Sequence, residues 1–351
     1  MNTWPEQDPL NPQDSAPEAE ETASSENASN SAHFSATGSS IASDPDSLAA
    51  PAEQFDAPAQ PIQDEPPPGL LFESFTQPEV HPPARIPNFG HLFLLSVLTL
   101  ISLVIVALLT RSALHFHLFG ISTVEKATTD IHYTLGSMAA LYILTFAASM
   151  LVFPLFWHKS LFAGLQWRAA TAFQLRRRLV SAAVVCFALA LINGILMPGP
   201  QDTPIDKIFR APGAAWLMFI FGITFAPFFE ETVFRGFLLP ALCTAYDWAT
   251  ERVSGQPARP PDENGHPNWS VPAMALGSLL TSIPFALLHA EQTGWAVGPL
   301  LLLMCVSLVL CWARLSTRSL AASVLVHACY NFLLFFIMLV STGGFRHLDK
   351  M

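Results

Sequence analysis

Three groups of polar residues sit inside otherwise apolar stretches of this sequence, and their types are those that hydrolytic chemistry uses. Glu230, Glu231 and Arg235 interrupt FGITFAPFFEETVFRGFLLPAL, His289 closes FALLH, and His327 and Asn331 bracket HACYN. An ionisable side chain at membrane depth costs about 3 kcal/mol or more on insertion scales, so each is a functional candidate by default. On a helix turning about 100° per residue, Glu231 and Arg235 are i,i+4 neighbours, with the acid on the N-terminal side that favours pairing. Glu230 points about 140° away from Arg235, so it has no partner on its own helix. The spacing therefore divides the labour. Glu231 is neutralised by Arg235, and Glu230 is the chemically available carboxylate, which must find its partner across a bundle. An ion pair serving helix packing alone would account for Glu231 and Arg235 but would leave Glu230 uncompensated.

A lone histidine in a span, such as His289, more often packs than reacts. His327 and Asn331, at i,i+4, share one helix face and could simply join two helices. Taken together, one free carboxylate, two histidines and an asparagine on three different helices supply a base, an acid and donors for an oxyanion, the requirements of water-dependent acyl chemistry. Pro227 and Pro284 precede Glu230 and His289 by three and five residues. Each removes a helix hydrogen bond and kinks its span, which is expected to open room for water.

The elements that must carry these residues are read from the apolar runs, which reach the length of about 20 residues that a bilayer core requires. They cover roughly 89–110, 131–157, 179–198, 214–244, 271–290, 295–313 and 319–341. Lipid leaves no partner for unpaired backbone, so each run is expected to be a helix. The run 214–244 reads as one tilted helix or two shorter ones. The expectation is an all-α, polytopic membrane bundle of seven to eight spans. It divides into a tail 1–88, N-terminal spans 89–200 and a catalytic core 201–345. The loop 158–178 carries Lys159, Arg168, Arg176, Arg177 and Arg178, so it is expected to be cytoplasmic. With seven spans the N-terminal tail is then inside and the C-terminus outside, with ten Lys and Arg on the inner side against six on the outer. The polar connector 247–270, rich in Pro and Gly, is expected to tolerate insertions.

Composition agrees with this organisation. The chain is 51% hydrophobic and only 13% charged, which excludes a soluble globular enzyme. The net charge of −10 belongs to the first 88 residues, where 15 of the 27 acids meet Arg85 alone. An acidic balance of this kind argues against nucleic acid and against polybasic attachment to anionic lipid. The tail, poor in aromatics and rich in Pro and Ser, is expected to be disordered. No signal peptide is read before the first span, so insertion is expected to be driven by the internal spans. Cys186, Cys243, Cys305, Cys311 and Cys329 show no paired spacing and are expected to be buried packing residues.

EETVFR, FALLH and HACYN, in this order and with Gly236 following Arg235, resemble the EExxxR, FxxxH and HxxxN or HxxxD signatures of a known family. That family is CPBP (CAAX protease and bacteriocin-processing), a group of intramembrane endopeptidases also called Abi. The resemblance runs from about Ala214 to Leu339 and leaves out the tail and the first two runs. It implies a multi-span helical core that performs proteolysis, as in the enzymes that remove a C-terminal tripeptide after prenylation. It further implies that Glu230 and His289 activate water, that His327 and Asn331 stabilise the oxyanion, and that Glu231 with Arg235 hold the site together. A metalloprotease is the other implied chemistry, with Glu230, His289 and His327 as candidate zinc ligands. The sequence has no HExxH, and its ligand types leave zinc and a metal-free glutamate base both open. The implied partners are a membrane-embedded or lipidated peptide or protein substrate and the lipid bilayer, with no nucleic acid.

Two other classes compete. A non-catalytic scaffold or bacteriocin-immunity protein of the same fold would keep the polar core for stability, although Glu230, His289, His327 and Asn331 are all intact. A proton-coupled transporter would also use intramembrane Glu and His, but it is expected to show paired half-repeats, and none is evident here.

Overall fold

The computed structural model describes residues 85–347 apart from 198, 201, 202, 212 and 264. The expected disordered tail lies almost wholly outside the described residues. Its last four residues do not follow the expectation. Arg85 Nη2 donates to Glu251 Oε1 at 2.7 Å, and Asn88 caps the first span with a reciprocal bond to His91. A short side chain that satisfies free N–H groups at a helix start holds these residues to the bundle.

Seven helices among the described residues are long and apolar enough to cross a membrane. They are α1 (Phe89–His115), α2 (Ile131–Trp157), α3 (Arg176–Leu196), α4 (Ala214–Ser254), α5 (Val271–Leu288), α6 (Val297–Thr317) and α7 (Leu320–Ser341). Asp130 and Ser270 cap the starts of α2 and α5 through their side chains. His158 and Arg318 end α2 and α6 in left-handed backbone conformations. No strand occurs among the described residues. Aliphatic side chains such as Leu100, Leu103, Val104 and Leu108 of α1 and Leu151 and Leu155 of α2 are exposed, as expected of surfaces whose solvent is hydrocarbon.

Two buried clusters organise the interior. Leu179 and Cys186 of α3 pack with Phe234 of α4, Phe285 of α5, Leu310 of α6 and Val326 and Tyr330 of α7. Leu95 of α1, Phe153 and Trp157 of α2, Leu161 and Leu165 of the following connector, and Phe237 of α4 form the second. α4 is thus shared by both. Gly277 of α5 approaches α4 so closely that a Cβ there would lie 2.7 Å from Cys243 Sγ, and the small residue is what lets the two backbones meet.

The run that sequence left as one helix or two is a single helix of 41 residues, α4, made irregular at two points. At Thr224 the backbone leaves helical angles. Pro227 explains the place, because its ring excludes the carbonyl four residues earlier, that of Ile223, and it has no N–H to offer. From Thr232 to Leu238 the helix takes the wider π geometry. At about 1.5 Å per residue α4 is about twice the hydrocarbon thickness. Its more polar end, Leu239–Ser254, is tied to the next helix by Asp247, which accepts from the backbone N–H of Ser270 at 2.9 Å.

Two expectations need correction. Cys186, Cys243 and Cys311 are buried, but Cys305 is exposed and Cys329 only half-buried. A thiol is apolar enough to face lipid, so the apolar run around it did not require burial. Arg314, placed beyond the sixth span by the end of its apolar run, lies inside α6 and is 1% exposed.

Candidate active site

The irregular stretch of α4 presents the two acids. Glu230 and Glu231 end the segment Phe225–Glu231 and lead directly into the π turn. Glu231 and Arg235 form the ion pair that the i,i+4 spacing predicts, at 2.9 Å and with neither side chain exposed. The pair is anchored beyond its own helix. Arg235 Nη2 donates to the Ser307 carbonyl at 3.0 Å and to the Ser307 hydroxyl at 2.6 Å, which ties α4 to α6. His327 Nδ1 donates to the same Glu231 Oε1 at 2.9 Å, which ties it to α7. Charged partners and hydrogen bonds together offset the desolvation of a buried acid.

Glu230 finds its partners across the bundle. Its Oε2 lies 3.9 Å from His289 Nε2, at the C-terminal cap of α5, and 3.8 Å from His327 Nε2 on α7. Unlike Glu231, it is 12% exposed. Both separations exceed a direct hydrogen bond and match the span of one bridging group. The other nitrogen of each ring is committed. His289 Nδ1 meets the Phe285 carbonyl at 2.9 Å, and a carbonyl only accepts, so the Nδ1 proton is fixed there. His327 Nδ1 is fixed in the same way by Glu231. In their neutral forms both rings therefore turn a bare Nε2 toward Glu230.

Phe285, the first residue of FALLH, is the wall between these groups. Its ring centroid lies 4.5 Å from the Arg235 guanidinium carbon, 5.1 Å from the His289 ring and 5.9 Å from the His327 ring. One aromatic face thus meets the cation while the ring flanks both imidazoles. The sequence motif contained Phe285, but nothing in its spacing revealed this contact. The Tyr142 ring of α2 stacks on Phe229, the residue before Glu230, with centroids 3.9 Å apart. Tyr142 lies outside the three motifs.

Asn331 is held elsewhere in the same arrangement. Its Nδ2 donates to the Gly222 carbonyl at 2.7 Å. In an uninterrupted helix that carbonyl would pair with the N–H of Ala226, but the break at Thr224 releases it. Asn331 thus seals the kink that Pro227 produces. An amide carries two N–H bonds, and one of them is used here.

Among the described residues, no group of three or more His, Cys, Asp and Glu side chains is placed to hold a metal ion. Zinc bonds of about 2.0–2.1 Å set tetrahedral ligands about 3.3 Å apart. The Glu230–His289 and Glu230–His327 separations are longer than that edge. The present arrangement does not fit a preformed zinc site.

Residues 212–333 match a family model described as Type II CAAX prenyl endopeptidase Rce1-like. The matched stretch contains Glu230, Glu231, Arg235, His289, His327 and Asn331 and omits α1 to α3, which supply Tyr142 and the connector after α2. No curated protein and no solved structure matches the chain. The polar centre at Glu230 thus lies in the stretch that matches the Rce1-like type II CAAX prenyl endopeptidase model, in keeping with the CPBP resemblance of its motifs, within a membrane protein whose described residues hold seven helices long and apolar enough to span a bilayer.

Proposed function

We propose that this protein is an intramembrane endopeptidase that hydrolyses a peptide bond of a membrane-associated or lipidated substrate with a water activated by Glu230 and His289. The observation that carries the reading is that Glu230 Oε2 and His289 Nε2, two proton acceptors, face each other across 3.9 Å. A water beside the line between them, about 2.8 Å from both atoms, can give a hydrogen bond to each, which leaves its oxygen lone pair for a carbonyl carbon. The C–O bond forms as a proton passes to the Glu230–His289 pair. The same pair then delivers that proton to the departing amide nitrogen as the C–N bond breaks.

The oxyanion requires a donor. His327 Nε2 can serve only when its ring carries both protons, because its Nδ1–H belongs to Glu231. The uncommitted N–H of Asn331 is the other candidate. Glu231 and Arg235 take no part in bond making in this scheme and hold His327 in position. The arrangement needs no metal, since a positioned carboxylate and imidazole already supply the base and the acid.

The basic residues of 158–178 support a cytoplasmic placement of that connector in a cell membrane. The test is cleavage of membrane-embedded and prenylated CAAX-type peptides in proteoliposomes, with wild type and Glu230→Ala side by side. Cleavage by wild type and none by the variant is expected. Peptides left intact by folded wild type would favour a non-catalytic scaffold of the same fold.

A further inference from the structure

The π turn Thr232–Leu238 leaves one backbone group without a local partner. In this register the N–H of Leu239 bonds the Phe234 carbonyl, five residues back. The Arg235 carbonyl has therefore lost its ordinary α-helical partner, Leu239. Its partner in the π register would be residue 240, which is proline and has no N–H. A buried carbonyl in this position needs a donor from outside the helix.

Arg314 of α6 supplies it. Arg314 Nε donates to the Arg235 carbonyl at 3.2 Å, and Nη1 donates to Gln166 Oε1 at 2.8 Å. Nη2 meets the Leu165 carbonyl at 3.4 Å. All three acceptors are neutral, so this guanidinium is buried without a carboxylate bonded to it, an arrangement that packing alone does not call for. Gln166 is itself 6% exposed and left-handed, with φ 57°. Its carbonyl accepts from the N–H of Leu320 at the start of α7. The connector after α2 thus reaches into the inner end of the bundle and grips α6 and α7 together.

We infer that Arg314, held by Gln166, is a positioning residue for the Glu230 centre, acting through the π turn of α4. The path runs from neighbour to neighbour: Arg314 fixes the backbone of Arg235, Arg235 holds Glu231, Glu231 holds His327 Nδ1, and His327 Nε2 faces Glu230. Neither Arg314 nor Gln166 touches the reacting atoms. The inference rests on the endopeptidase reading for its kinetic part only.

The experiment compares Gln166→Ala, Gln166→Glu, Arg314→Lys and Arg318→Gln in full-length protein in proteoliposomes. Arg318 is the neighbouring arginine at the same helix end, paired with Asp262, and serves as the control. Gln166→Ala and Arg314→Lys are expected to lower kcat about ten- to a hundred-fold, with KM within about two-fold, as a small misplacement of catalytic groups does. Gln166→Glu keeps an acceptor oxygen for Nη1 and is expected to restore kcat to near wild type. The second readout is ring-nitrogen NMR of His327, assigned by its loss in His327→Gln. In wild type it should show one fixed Nδ1–H, and in Gln166→Ala and Arg314→Lys it should show exchange between tautomers. Should wild type cleave no peptide, the endopeptidase reading falls and the His327 signal alone judges the positioning role. An unchanged His327 signal, full kcat in folded Gln166→Ala, a Gln166→Glu variant as impaired as the alanine, or an equal loss in Arg318→Gln would overturn it.

Discussion

Arg235 and His327 converge on a single oxygen of Glu231, each 2.9 Å from Oε1. One carboxylate oxygen thereby fixes a guanidinium from its own helix and an imidazole from α7, and the acid beside it, Glu230, is left to face both histidines. The two adjacent glutamates are thus separated by environment, one fully buried and paired, the other partly open.

Glu230→Gln is expected to abolish peptide cleavage, with a loss of at least about a hundred-fold, because the amide keeps the shape but cannot take a proton from water. The protein should remain folded and membrane-inserted. Turnover above a few per cent of wild type would remove Glu230 from its role as base.

Glu231→Gln and Arg235→Ala should differ from it in kind. Each strands the charge of a wholly buried partner, at a cost of about 3–5 kcal/mol. Thermal unfolding in detergent should show both variants destabilised, and unaltered melting in both would show that the pair does not support the fold.

Phe285→Leu nearly conserves volume but removes the ring face under Arg235. A desolvated cation–π contact contributes about 2 kcal/mol, so the melting temperature should fall measurably. Because the same ring flanks His289 and His327, kcat should fall as well. A variant with wild-type melting and turnover would show that the ring is only filler.

Stringent removal of divalent metal should leave turnover unchanged, and elemental analysis of active protein should find no tightly bound zinc. Loss of activity on stripping, restored by one zinc per chain and abolished together with the metal in His289→Ala, would establish the metalloprotease instead.

Deletion of residues 1–80 should leave insertion and cleavage of a minimal peptide intact, since their sequence has no apolar run of span length and none of the three polar groups. Arg85→Ala in the full chain is a separate case. It leaves Glu251 with only the backbone N–H of Arg259, and because the pair is partly open the expected cost is about 1 kcal/mol or less. Catalytic loss on deleting 1–80 alone would show that the tail belongs to the enzyme.

Much of this arrangement is legible in the sequence because lipid imposes a simple rule. Backbone must pair within the span, so run length predicted α1 to α7. The i,i+4 spacing likewise predicted the Glu231–Arg235 pair, and the lack of an in-helix partner predicted that Glu230 would be met from other helices. The π turn was not legible, because its register depends on a donor 79 residues away in sequence, Arg314. Arg314 itself was misplaced because the apolar run ends just before it, although its long side chain is buried. Gln166 lies in the basic loop 158–178, where nothing in its type or spacing singles it out. The only local signal was Pro240, five residues after Arg235.

A π turn amounts to one residue more than a straight helix would need. It therefore rotates everything after it by about 100° relative to an unbroken α-helix. The faces of Leu239–Ser254 are set by that rotation. In the rotated segment Cys243 meets Gly277, and Asp247 reaches the start of α5. Replacing Pro240 by a residue with an N–H would give the Arg235 carbonyl a local partner and release Arg314 from it. The extra residue works as a vernier, bringing the two ends of one helix into mesh with different neighbours at the same time.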